Sequence, residues 1–133
     1  MFKLIASLIG KKHFSASLNI ADIGCATGEF IHFLQQQFPG SIFTGIDVSE
    51  AMIGQAKKNM PKHTWECRDI LTIPSDYQGK HDVLTCVGTL QIFDDINTPI
   101  NNLLSYTKEN GSIYIAGIFN NNPVDVITRY RPV

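Results

Sequence analysis

Apolar and polar positions follow two periods along this chain, and the changes between them predict strands that alternate with helices. Apolar runs predict strands at residues 18–23, 41–46, 82–87 and 112–118, and a less apolar run predicts one at 63–67. Residues 18–23 have the pattern of a central strand buried on both faces. Apolar residues at helical spacing predict helices at residues 28–38, 49–58 and 98–108. Because strands that alternate with helices form parallel βαβ units, we predict an α/β fold with a parallel sheet.

An amphipathic helix is predicted within residues 1–16, before the first strand. Its apolar face is formed by Phe2, Ile5, Leu8 and Ile9. A secretory signal is the alternative, but the apolar part is short, is interrupted by Ser7 and is followed by Lys11 and Lys12. No run approaches the ~20 apolar residues that a membrane span needs.

The length of 133 residues predicts one domain, because two domains would need a longer chain. We expect this single domain to span residues 1–133, with the amphipathic helix in 1–16, a βα core in 17–118 and a tail in 119–133. The tail opens with a turn at residues 120–123 and is too short to form another βα unit.

Composition and charge exclude several classes of function. Apolar residues make up 44% and charged residues 17% of the chain, which is typical of a folded globular protein. The net charge of −1 provides no basic surface, so we expect neither nucleic acid nor a membrane as a partner. Cys25, Cys67 and Cys86 are odd in number and widely spaced, which favours buried thiols in a reducing, cytoplasmic compartment. No metal-ligand spacing links the histidines and cysteines, so no metal site is predicted.

Candidate chemistry lies in the turn that follows the first strand, residues 24–28. Gly24 at the strand exit and Gly28 four positions later permit unusual backbone angles and a close approach of a ligand to the backbone. Asp22, Asp47 and Asp69 lie at or beside the ends of the first three strands. Parallel strands bring such ends to one crevice, which predicts a nucleotide-type site with acidic neighbours.

Two of these carboxylates have a structural alternative. Asp47 follows Gly28 by 19 residues, the spacing at which an acid accepts both ribose hydroxyls, yet it also precedes a helix as a cap residue does. Asp69 is either a ligand-binding acid or a solvated residue at a strand end.

Four motifs together resemble the class I S-adenosylmethionine-dependent methyltransferases. Residues 22–28 are similar to the first motif of that family, 45–49 with Met52 to the second, 67–70 to the adenine-binding stretch, and 81–90 to the fourth-strand motif. The resemblance covers residues 18–118 in the family's order and spacing. It implies a three-layer Rossmann-like open sheet of five parallel strands in the order 3-2-1-4-5, with helices on both faces and without the family's last two strands.

The same resemblance implies the cofactor S-adenosyl-L-methionine, the product S-adenosyl-L-homocysteine and methyl transfer to a small molecule. Asp22 would reach the cofactor's ammonium, Asp47 the ribose hydroxyls and Asp69 the adenine amino group. The implied cofactor-binding residues are Asp22, Gly24, Cys25, Ala26, Thr27, Gly28, Asp47, Val48, Met52, Arg68, Asp69, Ile70, Val87, Gly88 and Thr89. Val48, Met52 and Ile70 would sandwich the adenine ring, and backbone near Val87 to Thr89 would face the methionine amine.

The chain departs from the family pattern at two positions of the site. Ala26 replaces the middle glycine of the first motif, which weakens cofactor binding if the backbone needs a positive φ there. Ile92 occupies the place where many small-molecule members have a histidine, so no general base is assigned. Gln91 and the acids Asp94 and Asp95 either face a substrate or are solvated loop residues.

The predicted fifth strand would form an exposed sheet edge, which must be paired or covered. This edge could be covered by residues 119–133, by a second chain in a homodimer, or by the rest of a longer protein.

The sequence leaves three alternatives to a methyltransferase: a cofactor-binding module without turnover, a nicotinamide-dependent oxidoreductase and a structural α/β domain. The oxidoreductase is disfavoured because Ala26 and Glu29 break its G-x-G-x-x-G spacing.

Overall fold

A computed structural model of the protein describes residues 1–13, 17–72 and 77–119. The strands are β1 (Asn19–Ile23), β2 (Ile42–Asp47), β3 (Thr64–Cys67), β4 (His81–Val87) and β5 (Thr107–Ala116). The helices are α1 (Phe2–Lys12), α2 (Glu29–Gln37), α3 (Glu50–Asn59) and α4 (Asn97–Tyr106), with a 3₁₀ turn at Leu90–Ile92. All pairings are parallel, and the order β3-β2-β1-β4-β5 confirms the predicted order 3-2-1-4-5.

The register of the sheet brings the carboxyl ends of neighbouring strands to one edge. Asp22 near the end of β1 lies opposite Gly45 of β2 and Thr85 of β4. Asp47 at the end of β2 lies opposite Cys67 at the end of β3. The loops that follow β1, β2, β3 and β4 therefore leave the sheet side by side.

Successive strand residues feed two cores, one on each face of the sheet, as alternation along a strand requires. On one face α1, α2 and α3 pack Ile9, Leu34 and Ile53 against strand residues that include Ile20 and Phe43. On the other face, α4 and the chain between β3 and β4 cover the sheet. This second core contains Ala21, Ile23, Ile46, Ile70, Tyr77, Leu84, Cys86, Leu90, Leu103 and Tyr106. Helices thus cover both faces, as predicted.

One position of the predicted α1 face is wrong. Ile5 and Ile9 are buried, but Leu8 is 41% exposed and Ala6 is buried in its place. With 3.6 residues per turn, Leu8 lies at the margin of the face that Ile5, Ala6 and Ile9 share.

The inward face predicted for α3 is also narrower than expected. Ser49 caps this helix by accepting the Met52 N–H at 3.4 Å, as predicted. Ile53 and Ala56 are buried, whereas Ala51 and Met52 are exposed. The packed face of α3 is therefore formed by Ile53 and Ala56.

The boundary between α4 and β5 differs from the prediction. The sequence predicts a helix to about residue 108 and a strand at 112–118, but α4 ends at Tyr106 and β5 begins at once. His81 pairs with Thr107 and Val83 with Ser112, so the Asn-Gly pair lies in an irregularity of β5. A Cβ on Gly111 would press on Asp82 O and Lys108 O, which explains a glycine there.

Some predicted features lie outside the described residues. These are the Pro74 segment between β3 and β4 and everything from residue 120 onwards, including the turn at 120–123. Within residues 1–13, 17–72 and 77–119, no helix combines the length and apolar character needed to cross a bilayer.

Candidate functional site

A pocket of about 330 Å³ opens at the carboxyl edge of the sheet, where the loops after the first four strands meet. It is lined by Ile23, Gly24, Ile46, Asp47, Val48, Arg68, Asp69, Ile70, Leu71, Gly88, Thr89, Ile92 and Phe93. Its volume is within the range of small-molecule sites, and a strand-end crevice is where open α/β sheets bind ligands.

Gly24 lets two loops close together at the floor of this pocket. The N–H groups of Gly24 and Cys25 donate to Ile46 O at 2.8 and 3.1 Å, which ties the turn to β2. Gly24 has a φ of +73°, and a Cβ there would collide with the Thr89 side chain. Both its backbone angle and its missing side chain are therefore required.

Ala26 adopts a φ of +48°, the conformation in which the sequence analysis expected alanine to be unfavourable. Its N–H donates to Asp47 Oδ2 at 2.9 Å. A non-glycine residue in this region costs about 1–2 kcal/mol, so the hydrogen bond holds the turn in a strained form.

Gly28 is required for packing against Trp65 and Met60, and its predicted contact with a ligand stays a prediction. Its φ is +85°, and a Cβ there would overlap Trp65 and come within 2.7 Å of Met60. The Trp65 Nε1–H donates to Met60 O at 2.9 Å, so the indole is fixed against this glycine. Gly28 is not among the pocket-lining residues.

Asp47 links three segments of the site. Its Oδ1 accepts the Ser49 N–H and its Oδ2 accepts the Ala26 N–H, both at 2.9 Å. The cap-like contact to Ser49 and the pocket-lining position thus occur together. Each carboxylate oxygen has two lone pairs, so both keep capacity for a ligand hydroxyl.

Asp69 lines the opposite wall of the pocket. Its Oδ1 accepts the Leu71 N–H at 2.9 Å, and its carbonyl oxygen accepts the Thr72 N–H at 3.0 Å. These bonds form a short turn that carries Asp69 and Ile70 at the pocket surface.

Asp22 does not open onto the pocket with the other two carboxylates. It is 3% exposed, and its Oδ1 accepts the Thr85 hydroxyl at 2.6 Å. Burial raises the pKa of Asp22 to about 7; the Thr85 hydrogen bond opposes the shift, and the charge of Asp47 adds to it. The structure therefore gathers Asp47 and Asp69 and places Asp22 in the interior behind the glycine turn.

The remaining predicted residues divide in the same way. Val48, Arg68, Ile70, Gly88 and Thr89 line the pocket, together with Gly24, Asp47 and Asp69. Cys25, Ala26, Thr27, Met52 and Val87 do not, and neither do Asp22 and Gly28. Thr27 lines a separate hollow with Glu29 and His32, and Met52 is 43% exposed. Burial raises the pKa of the Cys25 thiol, so this side chain is a packing residue rather than a nucleophile.

Five lining residues were missed by the sequence analysis: Ile23, Ile46, Leu71, Ile92 and Phe93. Ile23 and Ile46 are the last apolar residues of two predicted strands, so their strand-end positions could have identified them as pocket residues. Ile92 is 71% exposed, and an apolar residue in a loop that leaves a strand end indicates a surface awaiting a ligand or partner.

The polar residues of the loop after β4 make structural hydrogen bonds. Gln91 Oε1 accepts the Ile118 N–H at 3.0 Å, and Asp95 Oδ1 accepts the Asn97 N–H at 2.9 Å. Gln91 thus contacts the backbone just after β5, and Asp95 contacts the first residue of α4.

Comparison with known proteins places this geometry in a family. Residues 21–113 match the family model of a methyltransferase domain. The chain is 31% identical over 102 residues to a malonyl-acyl-carrier protein O-methyltransferase of Priestia megaterium, covering 75% of this chain and 36% of that protein. It is 29% identical over 107 residues to a ubiquinone biosynthesis O-methyltransferase of Coxiella burnetii, covering 77% and 44%. The plantazolicin methyltransferase BpumL in complex with S-adenosylhomocysteine superposes with a TM-score of 0.74 at 28% identity, covering 86% and 44%.

The chain spans less than half the length of each of these proteins. The family model, in contrast, matches most of the chain, from the middle of β1 into β5. This chain belongs to the methyltransferase domain family.

Proposed function

We propose that this chain is the cofactor-binding core of an S-adenosyl-L-methionine-dependent methyltransferase that transfers a methyl group directly to a small molecule. The observation that carries the proposal is one pocket in which two acceptor carboxylates, Asp47 and Asp69, flank the apolar residues Val48 and Ile70. Adenosine presents hydroxyl and amino donors around an apolar ring, which matches this set of groups.

Each predicted residue has a role in this proposal. Asp47 accepts the ribose hydroxyls, Asp69 accepts the adenine amino group, and Val48, Met52 and Ile70 contact the ring. Backbone of Gly24, Cys25, Ala26, Thr27 and Gly28 follows the methionine part, backbone of Val87, Gly88 and Thr89 faces its amine, and Arg68 borders the adenine end. Asp22 supports the turn from the interior through its hydrogen bond with Thr85.

Bound S-adenosyl-L-methionine supplies an electrophilic methyl group on a sulfonium. The chain's own residues bind and orient: Asp47 places negative charge near the glycine turn, which favours a cationic ligand. The apolar lining residues exclude water from the reaction. Alignment is the main requirement for this transfer, so no general base is assigned.

Isothermal titration calorimetry of the 133-residue chain tests the proposal. Saturable binding of S-adenosyl-L-methionine and S-adenosyl-L-homocysteine, with no binding of NAD, is expected. A folded sample that takes up neither adenosylated compound would refute it.

A binding module without turnover is the second candidate. Transfer of isotope-labelled methyl from the cofactor to a panel of small-molecule acceptors separates the two. Binding without transfer supports the module, and transfer supports the enzyme.

A homodimer through the exposed edge of β5 belongs to the same proposal. Within the described ranges β5 pairs with β4 alone, and Ile115 and Ile118 on or beside it are exposed. Such an edge favours pairing with a second copy. Light scattering at several concentrations measures the oligomeric state directly.

The free thiols of Cys25, Cys67 and Cys86 support a cytoplasmic location.

A further inference from the structure

Helix α4 is bonded to a wall of the pocket that it does not itself line. The buried Asn102 side chain donates from Nδ2 to Ile70 O at 2.6 Å. Two residues further along the wall, Thr72 O accepts the Tyr106 hydroxyl at 2.7 Å. Both contacts bridge more than thirty residues of chain, so they are tertiary links rather than local capping.

The wall is a short turn, residues 69–72, whose internal bonds fix its shape and leave its position to be fixed by neighbours. Asp69 closes the turn through the N–H groups of Leu71 and Thr72. At its start, the Arg68 N–H donates to Asp47 O at 2.9 Å. From there onwards, the Ile70 and Thr72 carbonyls are held by α4, and α4 is anchored in the second core by Leu103 and Tyr106.

We propose that Asn102 and Tyr106 are positioning residues that hold the 69–72 turn so that Asp69 and Ile70 select the base of the ligand. This inference rests on the proposed function, because it assumes that the base lies against this turn. The two side chains act through the turn and do not touch the ligand. Without them the turn keeps its own bonds but shifts against the sheet, and the Asp69 carboxylate is no longer fixed relative to Asp47.

The test uses the 133-residue chain with Tyr106→Phe, which removes only the hydroxyl, and Asn102→Leu, which replaces the amide by an apolar group of similar size. Thr107→Val is the matched control, because Thr107 Oγ1 donates to Leu103 O at 2.8 Å and does not contact the wall. Circular dichroism and thermal unfolding identify the folded variants, and Tyr106→Phe alone decides the test if Asn102→Leu fails to fold.

Two readouts are measured. Calorimetry compares S-adenosylhomocysteine with S-inosylhomocysteine, in which an oxygen replaces the adenine amino group. We expect each wall variant to lose roughly 3- to 10-fold of the preference for the adenine compound, the size expected for one hydrogen bond, while Thr107→Val keeps it. Amide hydrogen exchange at Arg68, whose N–H ties the start of the turn to Asp47 O, is expected to quicken in the wall variants and not in the control.

Unchanged base preference and unchanged exchange in Tyr106→Phe would overturn the positioning role. Faster exchange with an unchanged preference would also overturn it, since the turn would then be loosened without consequence for the base. Failure of the wild-type chain to bind S-adenosylhomocysteine would refute the proposed function instead, and the exchange data would still report whether α4 holds the turn.

Discussion

The two ends of the sheet use their polar groups differently. At the amino end, polar side chains bond to one another and to backbone: Asp82 accepts the Asn19 N–H at 2.8 Å and pairs with Lys108 at 2.8 Å. At the carboxyl end, strained turns hold acceptors beside an open apolar pocket. Four of the five residues with positive φ within the described ranges lie there: Gly24, Ala26, Gly28 and Gly88.

From this difference we infer that the amino end serves stability and the carboxyl end serves ligand binding. Asp47 and Asp82 each accept one protein hydrogen bond on each carboxylate oxygen. The difference is that Asp47 and Asp69 line an open pocket and Asp82 does not. Backbone strain is tolerated in the turns that position the pocket residues, and the packing of the rest of the fold offsets its energetic cost. Asp22 at the carboxyl end and His81 at the amino end are buried groups with shifted pKa values, and their effects on stability run in opposite directions with pH.

The largest effect is expected from Asp22→Asn, which removes a buried charge from the carboxyl end. The folded pKa of about 7 lies above the ordinary 3.8, so the cost of burying the carboxylate grows as pH rises between these values. At pH 8 the variant should be more stable by up to roughly 4 kcal/mol, and the gain should shrink toward pH 4. Urea unfolding at pH 8 and pH 5 measures it.

The same substitution at exposed Asp94 is the control, and it should change the free energy of unfolding little. An Asp22→Asn variant that is equally destabilised at both pH values would contradict the charge-burial explanation.

At the amino end, His81→Phe should reveal the opposite dependence. His81 is 1% exposed, its Nδ1 donates to Asn19 Oδ1 at 3.3 Å, and its Nε2 has no partner within the described ranges. Burial lowers its pKa to about 4, so the unfolded chain takes up a proton first as pH falls through 6.5. The wild type should therefore lose up to roughly 3 kcal/mol between pH 6.5 and pH 4 through this group.

His81→Phe should remove that loss, as chemical denaturation at pH 7 and pH 4.5 can measure. Because the two windows overlap, the slopes of Asp22 and His81 offset each other in the wild type. The two single variants should therefore change the slope of unfolding free energy against pH in opposite directions. The same change of slope in both variants would contradict this explanation.

Asp47→Ala should weaken ligand binding at the carboxyl end. The variant loses the proposed acceptor for the ribose hydroxyls and the hydrogen bonds with the Ala26 and Ser49 N–H groups. We expect S-adenosylhomocysteine affinity to fall by about 1–3 kcal/mol, the value of a charge-assisted hydrogen bond. Calorimetry measures the loss, and Asp82→Ala at the amino end serves as the control because it should leave affinity unchanged.

The smallest effect is expected from Ala26→Gly, which relieves strain without changing any contact. The left-handed backbone favours glycine by about 1–2 kcal/mol, offset by roughly 0.5–1 kcal/mol of extra chain entropy. A net gain of ~1 kcal/mol in the free energy of unfolding is expected. The same change at exposed Ala51 in α3 should cost ~1 kcal/mol, so opposite signs are the decisive outcome.

Most of the fold follows from the sequence because period and strand-end signals agree. The central strands β1, β2 and β4 are mostly buried apolar runs, whereas the edge strands β3 and β5 are partly exposed. The α4–β5 boundary was wrong because an Asn-Gly pair stops helices and also forms strand irregularities, and only pairing with β4 decides between them. Leu8 and Met52 show that periodicity locates a face but not its margins.

The candidate site was predictable in part. Glycine spacing and strand-end acids locate the pocket, since topology alone brings those loops together. The sequence did not show that Asp47 lies at the pocket surface and that Asp22 is buried. The burial of Asp22 depends on the strand register, which sets it opposite Thr85 of β4. The roles of Asn102 and Tyr106 were likewise hidden, as their partners are backbone carbonyls more than thirty residues away.

An amide NMR titration of the 133-residue chain with S-adenosylhomocysteine tests the binding role of the carboxyl end most directly. The account predicts saturable shifts at Gly24, Val48, Ile70 and Gly88, with the amides of Asn19 and Asp82 at the amino end unmoved. Absence of shifts in a folded sample, or shifts centred away from this pocket, would contradict it.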